Sequence, residues 1–209
     1  MTEQDARKSV AVFCASASGE RPEYMAVAEE LGRTLAERGL GLIYGGAKVG
    51  LMGAVADGAL AAGGQVVGVI PEVIREREID HKGLTEQHVV GTMHERKALL
   101  ASRADAFVAL PGGYGTLDEF MEIVTWAQLR IHAKPCVLVN VTVNGGNGFY
   151  DGLLAFLDHT VREGFILPEN RGLVLAARDP ESALDLVERT WREREEVPAH
   201  DPRLDAVVR

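Results

Sequence analysis

Apolar and polar positions along this chain fall into two alternating regimes. The runs SVAVFCAS (9–16), LGLIYGG (40–46), QVVGVIP (65–71), DAFVALP (105–111), PCVLVNV (135–141) and GLVLAA (172–177) hold almost no polar residue, and HVVG (88–91) is a shorter run of the same kind. Runs this short and this apolar read as strands buried on both faces. Between them, apolar residues recur at helical spacing. Tyr24, Val27, Leu31 and Leu35 mark a helix over 22–39 that stops at Gly39. Further helices are predicted over 49–64, which is rich in small residues, over 94–104, from the PGGYGT turn to about Ile131, over 149–164 and over 180–195. The charged stretch EVIREREIDHKGLTE (72–86) has little periodicity and reads as a long loop with at most one helical turn.

Buried strands alternating with helices predict an α/β fold. Right-handed crossovers make it a doubly wound, Rossmann-like parallel sheet with helices on both faces. Residues 1–195 read as one Rossmann-like nucleotide-binding domain, and 196–209 as a charged, Pro-containing tail. The length, 209 residues, suits one sizeable domain. A net charge of −9 argues against a nucleic-acid partner but leaves room for a small anionic ligand. The chain has two cysteines, Cys14 and Cys136, both in strand-like runs. They read as small core residues of a reduced, cytoplasmic protein. No run approaches the roughly 18 apolar residues of a membrane span, and the N-terminus lacks a signal-peptide segment.

Ligands of such sheets bind at the carboxyl ends of the strands. Three strand-to-helix loops stand out there: ASASGE (15–20) with Ser16, GGAKVGLMG (45–53) with Gly45 and Gly46, and PGGYGTLDE (111–119). A strand opening onto a helix leaves free N–H groups and the positive end of the helix dipole, and glycines let a phosphate approach them. The common alternatives fail. GxxxxGK[ST], GxSxG and HExxH are absent, and the second strand ends without the acid that would hold an NAD ribose. No His/Cys cluster suggests a metal.

Two readings of Thr116-Leu117-Asp118-Glu119 stay open. In one, Thr116 and Glu119 form a capping box and Asp118 answers the helix dipole. In the other, the loop amides and the Thr116 hydroxyl hold a 5′-phosphate. Glu119, one turn on, then faces the ribose, to stabilise an oxocarbenium ion or activate water. MHERK (93–97) supplies cations, Arg96 and Lys97, at the start of another helix.

Taken together, VGLMG, MHERK and PGGYGTLDE resemble the LOG (Lonely Guy) family of cytokinin riboside 5′-monophosphate phosphoribohydrolases, many of them mislabelled as lysine decarboxylases. The resemblance runs from about Val10 to Val187. It implies hydrolysis of the N-glycosidic bond of an N6-modified AMP, without metal or PLP. It implies Arg96 and Glu119 as the catalytic pair and Gly112, Gly113, Gly115 and Thr116 as the phosphate loop. It also implies substrate contacts from Lys97 and Glu78, and a homodimer with Trp126 near the interface. The first loop departs from the family pattern: CASASG stands where members often have CGSS. Two rivals remain, a non-catalytic carrier of a nucleotide or phosphorylated cofactor on the same fold, and a PLP enzyme, for which no lysine has a Schiff-base context.

Overall fold

A computed structural model describes residues 7–75 and 80–195. The predicted Glu78 contact and the tail 196–209 lie outside the described residues. Seven strands form one sheet: β1 (Ser9–Phe13), β2 (Gly41–Tyr44), β3 (Val66–Pro71), β4 (Glu86–Val90), β5 (Ala106–Ala109), β6 (Cys136–Val139) and β7 (Val174–Ala177). Their order is β4-β3-β2-β1-β5-β6-β7, and every pairing is parallel. Strand β1 lies at the centre, with Val10 opposite both Leu42 and Ala106. The winding direction reverses between β1 and β5. Adjacent crossovers there leave the sheet on opposite faces and open a crevice at the strand ends.

The central strands serve two cores because successive side chains alternate faces. Val10, Val12, Leu42 and Tyr44 pack against α1 (Pro22–Glu37), α2 (Gly50–Ala61) and α8 (Pro180–Glu195). Ala11, Phe13, Ile43 and Phe107 pack against α4 (Met93–Arg103), α5 (Tyr114–Gln128) and α6 (Asp151–Arg162). The small residues of α2 have a packing cause. A Cβ on Gly58 would stand 2.1 Å from the Glu29 carbonyl oxygen, and one on Gly32 2.0 Å from that of Val55, so α1 and α2 touch backbone to backbone. Helix α1 begins with proline at its first position and ends at Gly39, whose φ of +72° is open to glycine at little cost.

The stretch read as a loop with at most one helical turn holds one such turn, α3 (Glu72–Arg75). Two short elements depart from the sequence pattern: β4 starts at Glu86, two residues earlier than its apolar run. A second single turn, α7 (Pro168–Arg171), follows α6. One turn is too short for apolar periodicity to register. Among the described residues, no helix is long and apolar enough to cross a membrane.

Candidate active site

The loops after β1 and β5 meet in the crevice, where the Ala15 amide donates to the Pro111 carbonyl at 3.3 Å. The helix N-termini around it are not equivalent. At α2 the Leu51 and Met52 amides donate to the carbonyls of Ala17 (3.4 Å) and Ala15 (3.3 Å). At α4 the Thr92 hydroxyl accepts from the Glu95 amide at 3.1 Å, while the Glu95 carboxylate accepts from the amides of Thr92 (3.1 Å) and Gly91 (2.8 Å). Helix α5 differs: its cap is Gly113, which has no side chain to offer. Its first helical bond runs from the Leu117 amide to Gly113. The amides of Tyr114, Gly115 and Thr116 take no acceptor from the described residues.

The first of the two readings, a capping box at Thr116 and Glu119, does not form. Thr116 lies inside the first turn of α5, and its hydroxyl rests on Gly112, where a Cβ would be 2.0 Å from Oγ1. The box lies instead at Thr92 and Glu95, in the T-x-x-E spacing of TMHE. Freed from a capping role, Glu119 turns inward. It is 8% exposed and its Oε1 accepts from Nη1 of Arg96, itself 6% exposed. Arg96 is therefore not on a solvated helix face. Its Nε donates to the Val69 carbonyl within β3 at 3.1 Å.

Gly45 makes room for this arrangement. A Cβ there would lie 2.3 Å from Arg96 Nη2 and 2.9 Å from the Met52 sulfur. Gly45 and Gly46 are both buried, and the Gly46 carbonyl accepts from the His81 amide at 2.9 Å. Ser16 is exposed on the β1 loop, whose backbone presses on Gly50. Lys97 pairs with Asp118 and Glu122, each at 3.2 Å, so Asp118 has a partner besides the helix dipole.

Burial pushes the Glu119 carboxyl above its ordinary range, against the opposing pull of the Arg96 charge. The buried Cys14 thiol lies near the same pair. Burial first, and then the Glu119 charge, hold it far above the ordinary thiol range, so it stays protonated and is no nucleophile. Burial alone would lower Lys97, but the Glu122 and Asp118 carboxylates raise it above the ordinary lysine value. A Schiff-base lysine must shed its proton, so this one is held in the wrong state. Among the described residues, no cluster of His, Cys, Asp or Glu is arranged to hold a metal ion.

A family model described as "possible lysine decarboxylase" matches residues 52–187. A cytokinin riboside 5′-monophosphate phosphoribohydrolase from Rhodococcoides fascians is 51% identical over 178 residues, covering 85% of this chain and 87% of that protein. The chain belongs to the LOG family. A second member, LOG7 of Arabidopsis thaliana, is 45% identical over 190 residues, covering 91% of this chain and 85% of its own. Beyond the LOG proteins, the molybdenum cofactor binding protein of Rippkaea orientalis superposes with a TM-score of 0.65 at 21% identity, covering 88% of this chain and 98% of its own. At that identity the likeness extends to the fold alone. In this LOG chain, Lys97, the one lysine of MHERK, is ion-paired, and Lys48 of the glycine loop is exposed. Neither environment suits the decarboxylase description.

Proposed function

We propose that the protein hydrolyses the N-glycosidic bond of an N6-modified adenosine 5′-monophosphate, releasing the free base and ribose 5-phosphate. The observation behind this reading is the buried Arg96–Glu119 pair beside the open amides of α5. A dianionic phosphate suits the Tyr114, Gly115 and Thr116 amides and the Thr116 hydroxyl. A phosphate held there leaves the sugar facing the inward side of α5, where Glu119 projects. Charge then develops at C1′ as the bond to the base breaks, and the Glu119 carboxylate stabilises it or takes a proton from the attacking water. Water oxygen joins C1′, the bonding pair leaves with the base nitrogen, and a proton follows it. Arg96 keeps Glu119 ionised despite its burial and holds it in one orientation. Lys97 adds positive charge at the mouth of the site. The named activities of the Rhodococcoides fascians and Arabidopsis thaliana relatives support the same reading.

The protein is further read as a cytoplasmic homodimer. Leu129 and Ile131, at the end of α5 near Trp126, are 62% and 64% exposed, an apolar surface suited to a second copy. Incubation with N6-isopentenyl-AMP should release ribose 5-phosphate and free base in equal amounts. The 5′-dephosphorylated nucleoside should be turned over at least about 10³-fold less efficiently. Tight binding of the nucleotide without product would instead establish a carrier.

A further inference from the structure

We infer that Tyr150 is a positioning residue for the phosphate loop, its hydroxyl fixing the turn through which β5 enters PGGYGT. The inference rests on the hydrolytic reading above, in which that loop holds the substrate's phosphate. Tyr150 is 2% exposed, and its hydroxyl donates to the Leu110 carbonyl at 2.6 Å, across 40 positions of sequence. The bond sits where the sheet releases the chain. Phe13 of β1 lies opposite Ala109 of β5, and the Leu110 amide donates to the Phe13 carbonyl at 2.9 Å. Continued in register, the parallel ladder would give the Leu110 carbonyl the Ala15 amide. The Ala15 amide donates instead to the carbonyl of Pro111, one residue on, at 3.3 Å. That slip turns the chain off the sheet and strips a ladder donor from a fully buried residue. Tyr150 supplies the missing donor.

The ring is itself held from the loop after β6. The Tyr150 amide donates to Asn140 Oδ1 at 2.6 Å, and Asn140 Nδ2 donates to Asp151 at 2.6 Å. The Asp151 carboxylate also accepts from the Gly148 amide at 2.8 Å. The bonds from Asn140 and Gly148 hold the Asp151 carboxyl below its ordinary range, so it stays ionised. The Phe149 ring meets that of Tyr150 edge to face at 4.9 Å and that of Tyr24 at 5.8 Å. Burial pushes the Tyr150 phenol above its ordinary range, so it stays protonated and donates. Between Leu110 and the free amides of α5 stand only Pro111, Gly112 and the cap Gly113. Two adjacent glycines have little stiffness of their own. The direction of that segment is therefore set by its anchors: Tyr150 on Leu110, Ala15 on Pro111 and the Thr116 hydroxyl against Gly112.

Tyr150→Phe keeps the ring and removes only the oxygen. A loop free to turn at Leu110 should give up roughly one charge-assisted hydrogen bond to the phosphate. The kcat/KM for N6-isopentenyl-AMP should then fall on the order of 10–10²-fold, mostly through KM. The kcat/KM for the 5′-dephosphorylated nucleoside should stay within about threefold of the wild type, because no phosphate is there to lose. The Kd of ribose 5-phosphate, read by calorimetry, should rise by the same factor as KM. A lower Tm with the nucleotide-to-nucleoside ratio and the Kd both unchanged would show a bond that only stabilises the fold, and would overturn the assignment. If Tyr150→Phe does not fold, Asp151→Ala decides, since it loosens the same ring from an exposed position. A ratio lowered at least about threefold there supports the role, and an unchanged ratio overturns it. Calorimetry also separates this role from the hydrolytic reading. A wild type that binds ribose 5-phosphate but releases none from the nucleotide refutes hydrolysis, and the Kd of Tyr150→Phe still decides the role of Tyr150. A wild type that binds no ribose 5-phosphate overturns the loop and the role of Tyr150 together.

Discussion

Gly45 tests the geometry of the site without altering either member of the ion pair. Its φ is not in the left-handed region, so alanine is conformationally allowed there and the effect of Gly45→Ala is steric. The new Cβ would stand 2.3 Å from Arg96 Nη2, and an ordinary contact begins near 3.4 Å. The guanidinium is the flexible end of a side chain, so it moves by about 1 Å while the backbone stays. A displacement of about 1 Å in a catalytic array can cost on the order of 10²-fold in turnover. The overpacking itself costs about 1–3 kcal/mol, a fall of roughly 2–10 °C in Tm for a chain of this size. The phosphate-binding amides are on a different helix and are untouched. Steady-state release of ribose 5-phosphate should therefore show kcat reduced on the order of 10²-fold with KM within about threefold of the wild type. A folded Gly45→Ala protein with wild-type kcat would refute the claim that this glycine holds Arg96 against Glu119.

The other predictions concern α5 and its acid. Gly115→Ala places its Cβ in open space within the first turn of a helix, so stability should rise by about 0.5–1 kcal/mol. The same methyl crowds the free amides, and KM for the nucleotide should rise on the order of tenfold, so calorimetry and kinetics should move in opposite directions. Glu119→Gln should stay folded and lose on the order of 10²–10³ in kcat. Because the ionised carboxylate is the working form and burial raises its pKa, activity should fall on the acid side of a pH profile at a pH above the about 4.3 of a free glutamate. Removing the opposing charge in Arg96→Gln should move that limb to still higher pH in the residual activity. The stability sign follows from the same shift. The folded carboxyl binds its proton more tightly than the unfolded one, so its contribution is present at acid pH and is lost as the pH rises through the raised value. The Tm of the wild type relative to Glu119→Gln should therefore be higher at acid than at neutral pH.

Much of this was legible in the chain because the signals were local. Apolar runs such as AFVAL and VAVF mark strands with two buried faces; the edge strand β4 is the exception, exposed or half-buried along its length, and seven strands separated by helices leave few topologies. The open helix terminus was legible in PGGYGT, since glycine at the cap position leaves no side chain to close it. The T-x-x-E pattern at Thr116 left two readings open because spacing alone does not locate the first helical residue. The same pattern at Thr92 was the working cap. Contacts between distant segments left no local trace. The fit of Gly45 to Arg96 spans 51 positions and depends on β2 ending, and α4 beginning, at the same edge of the sheet. The meeting of Tyr24 with Phe149 depends on the loops after β1 and β6 in the same way.

The most direct measurement is a crystal structure of the protein with ribose 5-phosphate. The account predicts the phosphate on the amides of Tyr114, Gly115 and Thr116, with C1 of the sugar against the Glu119 carboxylate. A phosphate bound at any other helix end, or a sugar turned away from Glu119, would contradict it.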